Sequence, residues 1–304
     1  MKLLFLLKKY YYIVVIVFFI LCIYNTYKEY FYSTSLIVFP SKNEVENVFK
    51  NIDYFNSMNS TDKHVRNIKT QNKSEIIKQY MLSIMNIDEQ LKIKIRHVIN
   101  EIENTVSMSL FHTIPWKIVV FKNIENNYPH THKDIIFIPY SMIDNLSNYK
   151  DTLVHEKVHV LQRKKADMFK DLYKNYWHTH KVNLSKGNHD IIYSYLRANP
   201  DTDTNNWVFM YNNKRIIFKA MYKENASHLG DVDYIGLFLD SNNNVIDKKG
   251  LTDIKEFTDF YGHKYSNHYH PNELSAEMIS SHLFNKESKS KAYDQLKLWL
   301  NKID

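Results

Sequence analysis

The chain has 304 residues, 44% of them hydrophobic and 24% charged, and carries a formal net charge of +7. That composition is too apolar for a disordered chain, and the length suits one or two folded domains. Glycine is scarce, no G-x-G-x-x-G or G-K-[ST] pattern occurs, and lysine and arginine are scattered, so neither a phosphate-cradling loop nor a nucleic-acid partner is expected.

Residues 1–9 read as a short tail. The stretch YYYIVVIVFFILCIY, from Tyr10 to Tyr24, is uncharged and rich in Ile, Val and Phe. Its helix would reach roughly 22 Å, and flanking tyrosines together with Lys8, Lys9 and Lys28 extend that toward a hydrocarbon core of about 30 Å. A transmembrane anchor is therefore expected over 10–27. It is expected to stay uncleaved, because NTYKEYFY lacks the small-x-small pattern that signal peptidase needs. Lys2, Lys8 and Lys9 precede the span, which predicts a single-pass membrane protein with a short cytoplasmic N-terminus and the lipid bilayer as a partner. The one cysteine, Cys22, lies in this run, so an intrachain disulfide and a cysteine zinc site are excluded.

Residues 28–73 alternate short apolar pieces with polar runs and read as a stalk or linker, with a short helix expected at EVENVFKNI. Over 74–304 the pattern is that of a folded domain. From Ser74 to about Met108, apolar residues at helical spacing predict one or two amphipathic helices. WKIVVF (116–121) and DIIFIP (134–139) are β-branched runs that predict strands, the second a candidate sheet edge, with PHTHKD between them as an exposed turn. Helical spacing returns in SMIDNLSNYKDTLVHEKVHVLQRKKADMFKDLYKNYW (141–177), with Asp151 a candidate cap or first-turn acid. Further on, WVFMYNNKRIIFKAMY predicts a hairpin about Asn212–Asn213, NELSAEMISSHLF a helix, and KAYDQLKLWLNKI a closing amphipathic helix.

The chemistry is carried by His155-Glu156-Lys157-Val158-His159. Residues four apart on a helix share a face, so both imidazoles can converge on one ion. With cysteine excluded, Zn2+ held by histidine and carboxylate is the expected cofactor, and Glu156 is placed to take a proton from water in the remaining position. A catalytic zinc site needs a third protein ligand. The continuation H-x-x-G-x-x-H is absent, and the best supply is PNELSAE. There Glu273 is the first choice as ligand, while Glu277, one turn on, accepts a hydrogen bond from a ligand histidine and fixes its orientation. His263, His268, His270, Glu224, Asp231 and Asp233 remain rival ligands. His268 and Tyr269, or Tyr265, are candidate donors to a developing oxyanion.

DTLVHEKVH followed by NELSAEMIS resembles the two motifs of a gluzincin-type zinc metallopeptidase, especially the anthrax lethal factor-like domain, and is similar to metallopeptidase-like proteins of large DNA viruses. The resemblance implies His155 and His159 as zinc ligands, Glu156 as general base, Glu273 as the zinc glutamate and Glu277 as its supporting acid. It also implies an α+β zincin-like fold and a protein or peptide substrate, in a viral or host internal membrane given the anchor. His159 and Glu273 are 114 positions apart, longer than the family's usual interval. A non-peptidase zinc hydrolase, or a catalytically weak membrane or virion structural protein, are the alternatives.

Overall fold

The computed structural model describes residues 15–19, 21, 37–184, 193–203, 205–266, 268–286 and 288–303. They form a mixed α/β architecture with two sheets.

In the first sheet, β1 (Ile37–Val38) and β2 (Trp116–Phe121) are parallel, and β2 is parallel to β4 (Ile135–Pro139). The edge strand β3 (His130–His132) runs antiparallel to β4, with Thr131 opposite Ile136. Side chains alternate between faces along each strand. Ile118, Val120, Ile136 and Ile138 therefore enter the main core, while Val119, Phe121, Ile135 and Phe137 enter a second one.

Helices α1 (Lys42–Lys50), α2 (Tyr54–Ser57) and α4 (Lys73–Ser83) cover that second face with Phe49, Phe55, Ile76 and Tyr80, while α3 (Ser60–Val65) places Val65 in the main core. Capping boxes start α1 at Ser41–Glu44 and α3 at Asn59–Asp62, satisfying otherwise orphaned amides. The opposite face packs on α5 (Glu89–Thr105) through Ile95, Ile99 and Ile102, and on α6 (Lys150–Lys164) through Val154 and Val158. A short helix, α7 (Ala166–Asp171), follows α6.

The second sheet is antiparallel in the order β5 (Thr179–Val182), β6 (Asn206–Tyr211), β7 (Lys214–Tyr222), β8 (Val232–Leu239) and β9 (Val245–Gly250). The β6–β7 hairpin turns at Asn212–Asn213, whose φ of 49° and 61° fit the left-handed pair a tight hairpin needs. Phe209, Ile216 and Phe218 face the main core, joined there by α8 (Lys255–Tyr261). The helix α9 (Pro271–Leu283) lies against α6, and α10 (Lys291–Ile303) closes the chain, burying Trp299 against Phe169.

Four expectations are corrected. Among the described residues no helix is long and apolar enough to cross a membrane. Of the span expected over 10–27, only Val15–Phe19 and Leu21 are described, and the rest lies outside the described residues. A zincin-like domain behind a transmembrane helix therefore gives way to a mixed α/β fold, and the expected single-pass location is corrected with it. The expected linker is folded from Ile37 onward, because Val45, Phe49, Tyr54 and Phe55 turn one apolar side of a polar stretch onto the sheet. DIIFIP is internal, not the edge, since β3 pairs outside it. His130 and His132 are buried, not in an exposed turn, because their rings pack around Phe137.

Candidate metal centre

The helix α6 is buried over most of its circumference, which holds the rings of His155 and His159 in fixed rotamers on successive turns. Their Nε2 atoms face one another at 3.0 Å. Glu273, in the first turn of α9, brings Oε2 to 3.5 Å from His155 Nε2 and Oε1 to 3.8 Å from His159 Nε2. A tetrahedral zinc with bonds of about 2.0–2.1 Å separates its donor atoms by about 3.3 Å, so this triad has the spacing one ion requires.

The protonation of the rings agrees with that fit. Gln162 Nε2 donates to Asn272 O at 2.8 Å and to Ser275 Oγ at 2.9 Å, which fixes its carboxamide so that Oε1 faces His159 Nδ1 at 2.9 Å. Nδ1 must then carry the proton, and Nε2 presents a lone pair toward His155. His155 Nδ1 lies 3.6 Å from Glu277 Oε2, the carboxylate side of a ligand-orienting contact. Two lone pairs 3.0 Å apart repel unless a cation or a proton lies between them. Without a metal, the proton answers. Burial disfavours the charged ring, but Glu273 and Glu277 outweigh it and hold His155 well above the usual histidine range. Burial would also raise Glu273, yet the neighbouring His159 and His155 hold its carboxyl well below the ordinary range.

Two further elements brace the triad. Tyr173 bonds both Asn272 Oδ1 at 3.1 Å and Ser275 Oγ at 2.9 Å, fixing the start of α9. From the segment before β6, Asn199 Nδ2 donates to Glu273 Oε1 at 2.8 Å. The same segment brings Asp201, which accepts from the Thr131 amide at 2.7 Å and sits 3.7 Å from Arg163.

Glu156 is 5% exposed, and its Oε2 has no hydrogen-bond partner among the described residues. Burial first, then the nearby Asp201 and Glu273 carboxylates, push its carboxyl well up. With His155 and Glu273 it lines a cleft of about 310 Å³ that Asp201, Arg197 and Tyr234 also border. Glu156, His159 and Asp201 make a second group able to hold an ion. That set uses an aspartate already engaged by Thr131, and it consumes the free carboxylate that the first set leaves available.

The remaining candidates lie outside the triad. His268 is half-buried, with Nε2 4.0 Å from Glu277 Oε2 and Nδ1 unpartnered, and burial lowers its pKa. Tyr269 is buried under the Arg197 guanidinium, 5.6 Å from its ring centre, and borders a neighbouring cavity instead of the cleft. The Tyr265 ring is buried beside His268. His270 is spent as the N-cap of α9 and as a contact of Asp203 at 3.3 Å, and Asp231 binds Ser227 and His228. His263, Glu224 and Asp233 are exposed and belong to neither metal group. Asn199 and Asp201 were visible in sequence only as a polar, turn-rich run. Gln162 carried one signal, its place three residues after His159.

No protein-family model, no curated protein and no solved structure matches the chain.

Proposed function

We propose that the chain is a zinc-dependent hydrolase of peptide bonds, with His155, His159 and Glu273 as ligands and Glu156 as general base. The observation that carries this reading is the convergence of three donor atoms on one point with a buried carboxylate oxygen left unpartnered in the same cleft. It agrees with the gluzincin-like order of the two motifs.

When bound, zinc supplies Lewis-acid chemistry, polarising a carbonyl and acidifying water. The protein's own groups do the rest. Gln162 and Glu277 orient the rings through their Nδ1 atoms, and Asn199 orients Glu273. Glu156 accepts the proton of the attacking water and holds it at its carboxylate, then releases it to the leaving amine. Burial of Glu156 keeps bulk water from competing for that proton.

Glu156→Gln removes the proton acceptor while preserving shape. It should retain zinc and lower peptide hydrolysis about 10²–10⁴-fold. Hydrolysis of a peptide library at the wild-type rate would take Glu156 out of the reaction.

A further inference from the structure

Beside the metal cleft, across the segment Arg197–Pro200, lies a second cavity of about 370 Å³. Arg197 borders both spaces. Its guanidinium donates to Leu229 O at 3.4 Å and lies over the Tyr269 ring, and it has no carboxylate within ion-pair distance among the described residues. Lys219 enters the same cavity from the centre of the antiparallel sheet, half-buried, and its ammonium has neither hydrogen bond nor ion-pair partner there. Among the described residues no acid pairs directly with either charge. Asp203 is engaged by Lys181 at 3.0 Å, His270 at 3.3 Å and the Trp207 indole at 3.0 Å, and Asp53 is exposed at the rim. Arg163 also borders the cavity and is committed to Thr131, Pro200 and Asp201.

Removing an ammonium from water without an anionic partner beside it costs free energy that folding alone does not return. Burial pushes the Lys219 ammonium down to about 8, which shows the same cost. Side chains held at such a cost are those a ligand would satisfy. The two cations border a space that opens beside the reacting groups, where an extended peptide would set down a neighbouring side chain.

We infer that the cavity bordered by Arg197 and Lys219 is a specificity pocket for an anionic side chain, carboxylate or phosphate, of the peptide lying in the metal cleft. The inference rests on the hydrolase reading for the nature of the ligand, but its test does not need turnover.

Fluorescein-labelled pentapeptides differing only at the central residue (Glu, phosphoserine, Gln or Lys) are titrated by anisotropy against the full chain in chelator. At least one anionic peptide should bind about tenfold or more tighter than the Gln and Lys peptides, the worth of one charge-assisted hydrogen bond. The Glu–phosphoserine comparison identifies which anion the pocket takes. Lys219→Met should bring the preference to within about twofold while leaving the melting temperature unchanged or higher, and Lys219→Arg should restore it. Arg197→Gln provides the same comparison from the other wall. Equal binding of acidic and neutral peptides, or a preference that survives both Lys219→Met and Arg197→Gln, overturns the pocket. So does a Lys219→Met chain that no longer folds, since that would make the ammonium structural. A charge preference without hydrolysis of any peptide supports the pocket and removes the hydrolase reading; hydrolysis without the preference does the reverse.

Discussion

Two imidazole nitrogens 3.0 Å apart, one of them shown by its neighbour's carboxamide to present a lone pair, call for positive charge between them. The Glu273 carboxylate faces the same point, and a small divalent cation satisfies all three at once. The outer contacts then decide how tightly the ion is held. Glu277→Ala deletes the carboxylate beside His155 Nδ1 and should weaken zinc binding about 10–100-fold, measured by competition with a chromogenic chelator. Affinity equal to wild type would make Glu277 a bystander. At this scale the sequence was readable where spacing is local. His155 and His159 are one helical turn apart, as are Glu273 and Glu277, so their shared faces follow from helix geometry. Asn199, Asp201 and Arg197 reach the site only through long-range folding, which leaves no period in the chain. Tyr269 was expected as a donor in the cleft, but its ring is turned under Arg197.

Between the elements, a buried charge network ties the N-terminal helices to the site. Arg66 Nε donates to Glu125 Oε2 at 2.9 Å and Nη1 to Asp62 Oδ1 at 2.7 Å, and Tyr54 and Tyr80 also donate to Glu125. The same pair grips the segment that carries Asn199. Arg66 Nη2 donates to Ala198 O at 2.7 Å, and the Ala198 amide donates to Asp62 Oδ1 at 3.0 Å. Breaking a buried ion pair from one side strands the other charge, so Arg66→Met should cost about 3–5 kcal/mol in denaturant unfolding. A loss below about 1 kcal/mol would mean the network is not desolvated as its burial implies. Burial alone would raise the Glu125 carboxyl, but Arg66 together with His130 and the Tyr54 and Tyr80 hydroxyls outweighs it and the pKa is lowered. The folded state therefore binds this proton less readily than the unfolded one. The resulting stabilisation is complete above the unfolded value of about 4.3 and drains away as pH falls through the lower folded value. Unfolding free energy should accordingly fall below about pH 4, and Glu125→Gln should flatten that slope. An unchanged slope would assign the acid sensitivity elsewhere. Of these helices α1 was expected at EVENVFKNI, whereas α2 and α3 escaped the sequence reading because each is short. Their polar faces dominate the composition, while Phe49, Tyr54 and Phe55 supply the apolar side only once the chain has folded back on the sheet.

Taken as one molecule, the chain brings together ligands 114 positions apart by packing α9 against α6, with Ser280 Oγ donating to Asp151 O at 2.7 Å along the seam. The intervening residues are not a passive insertion: they build the antiparallel sheet, and their segment 197–201 returns to the site. A ligand set assembled only by the folded chain couples metal binding to stability. Zinc at about 100 times its dissociation constant should add about 2.7 kcal/mol, seen as a higher melting temperature that a chelator reverses. The expectation of a membrane span failed at this scale too, since an apolar run in sequence is not yet a helix of spanning length among the described residues.

The most direct test is an anomalous difference map from crystals of the zinc-loaded chain, recorded on either side of the zinc absorption edge. One peak bonded to the Nε2 atoms of His155 and His159 and to the Glu273 carboxylate is the expected result. A peak among Glu156, His159 and Asp201, or none in the cleft, would contradict the account.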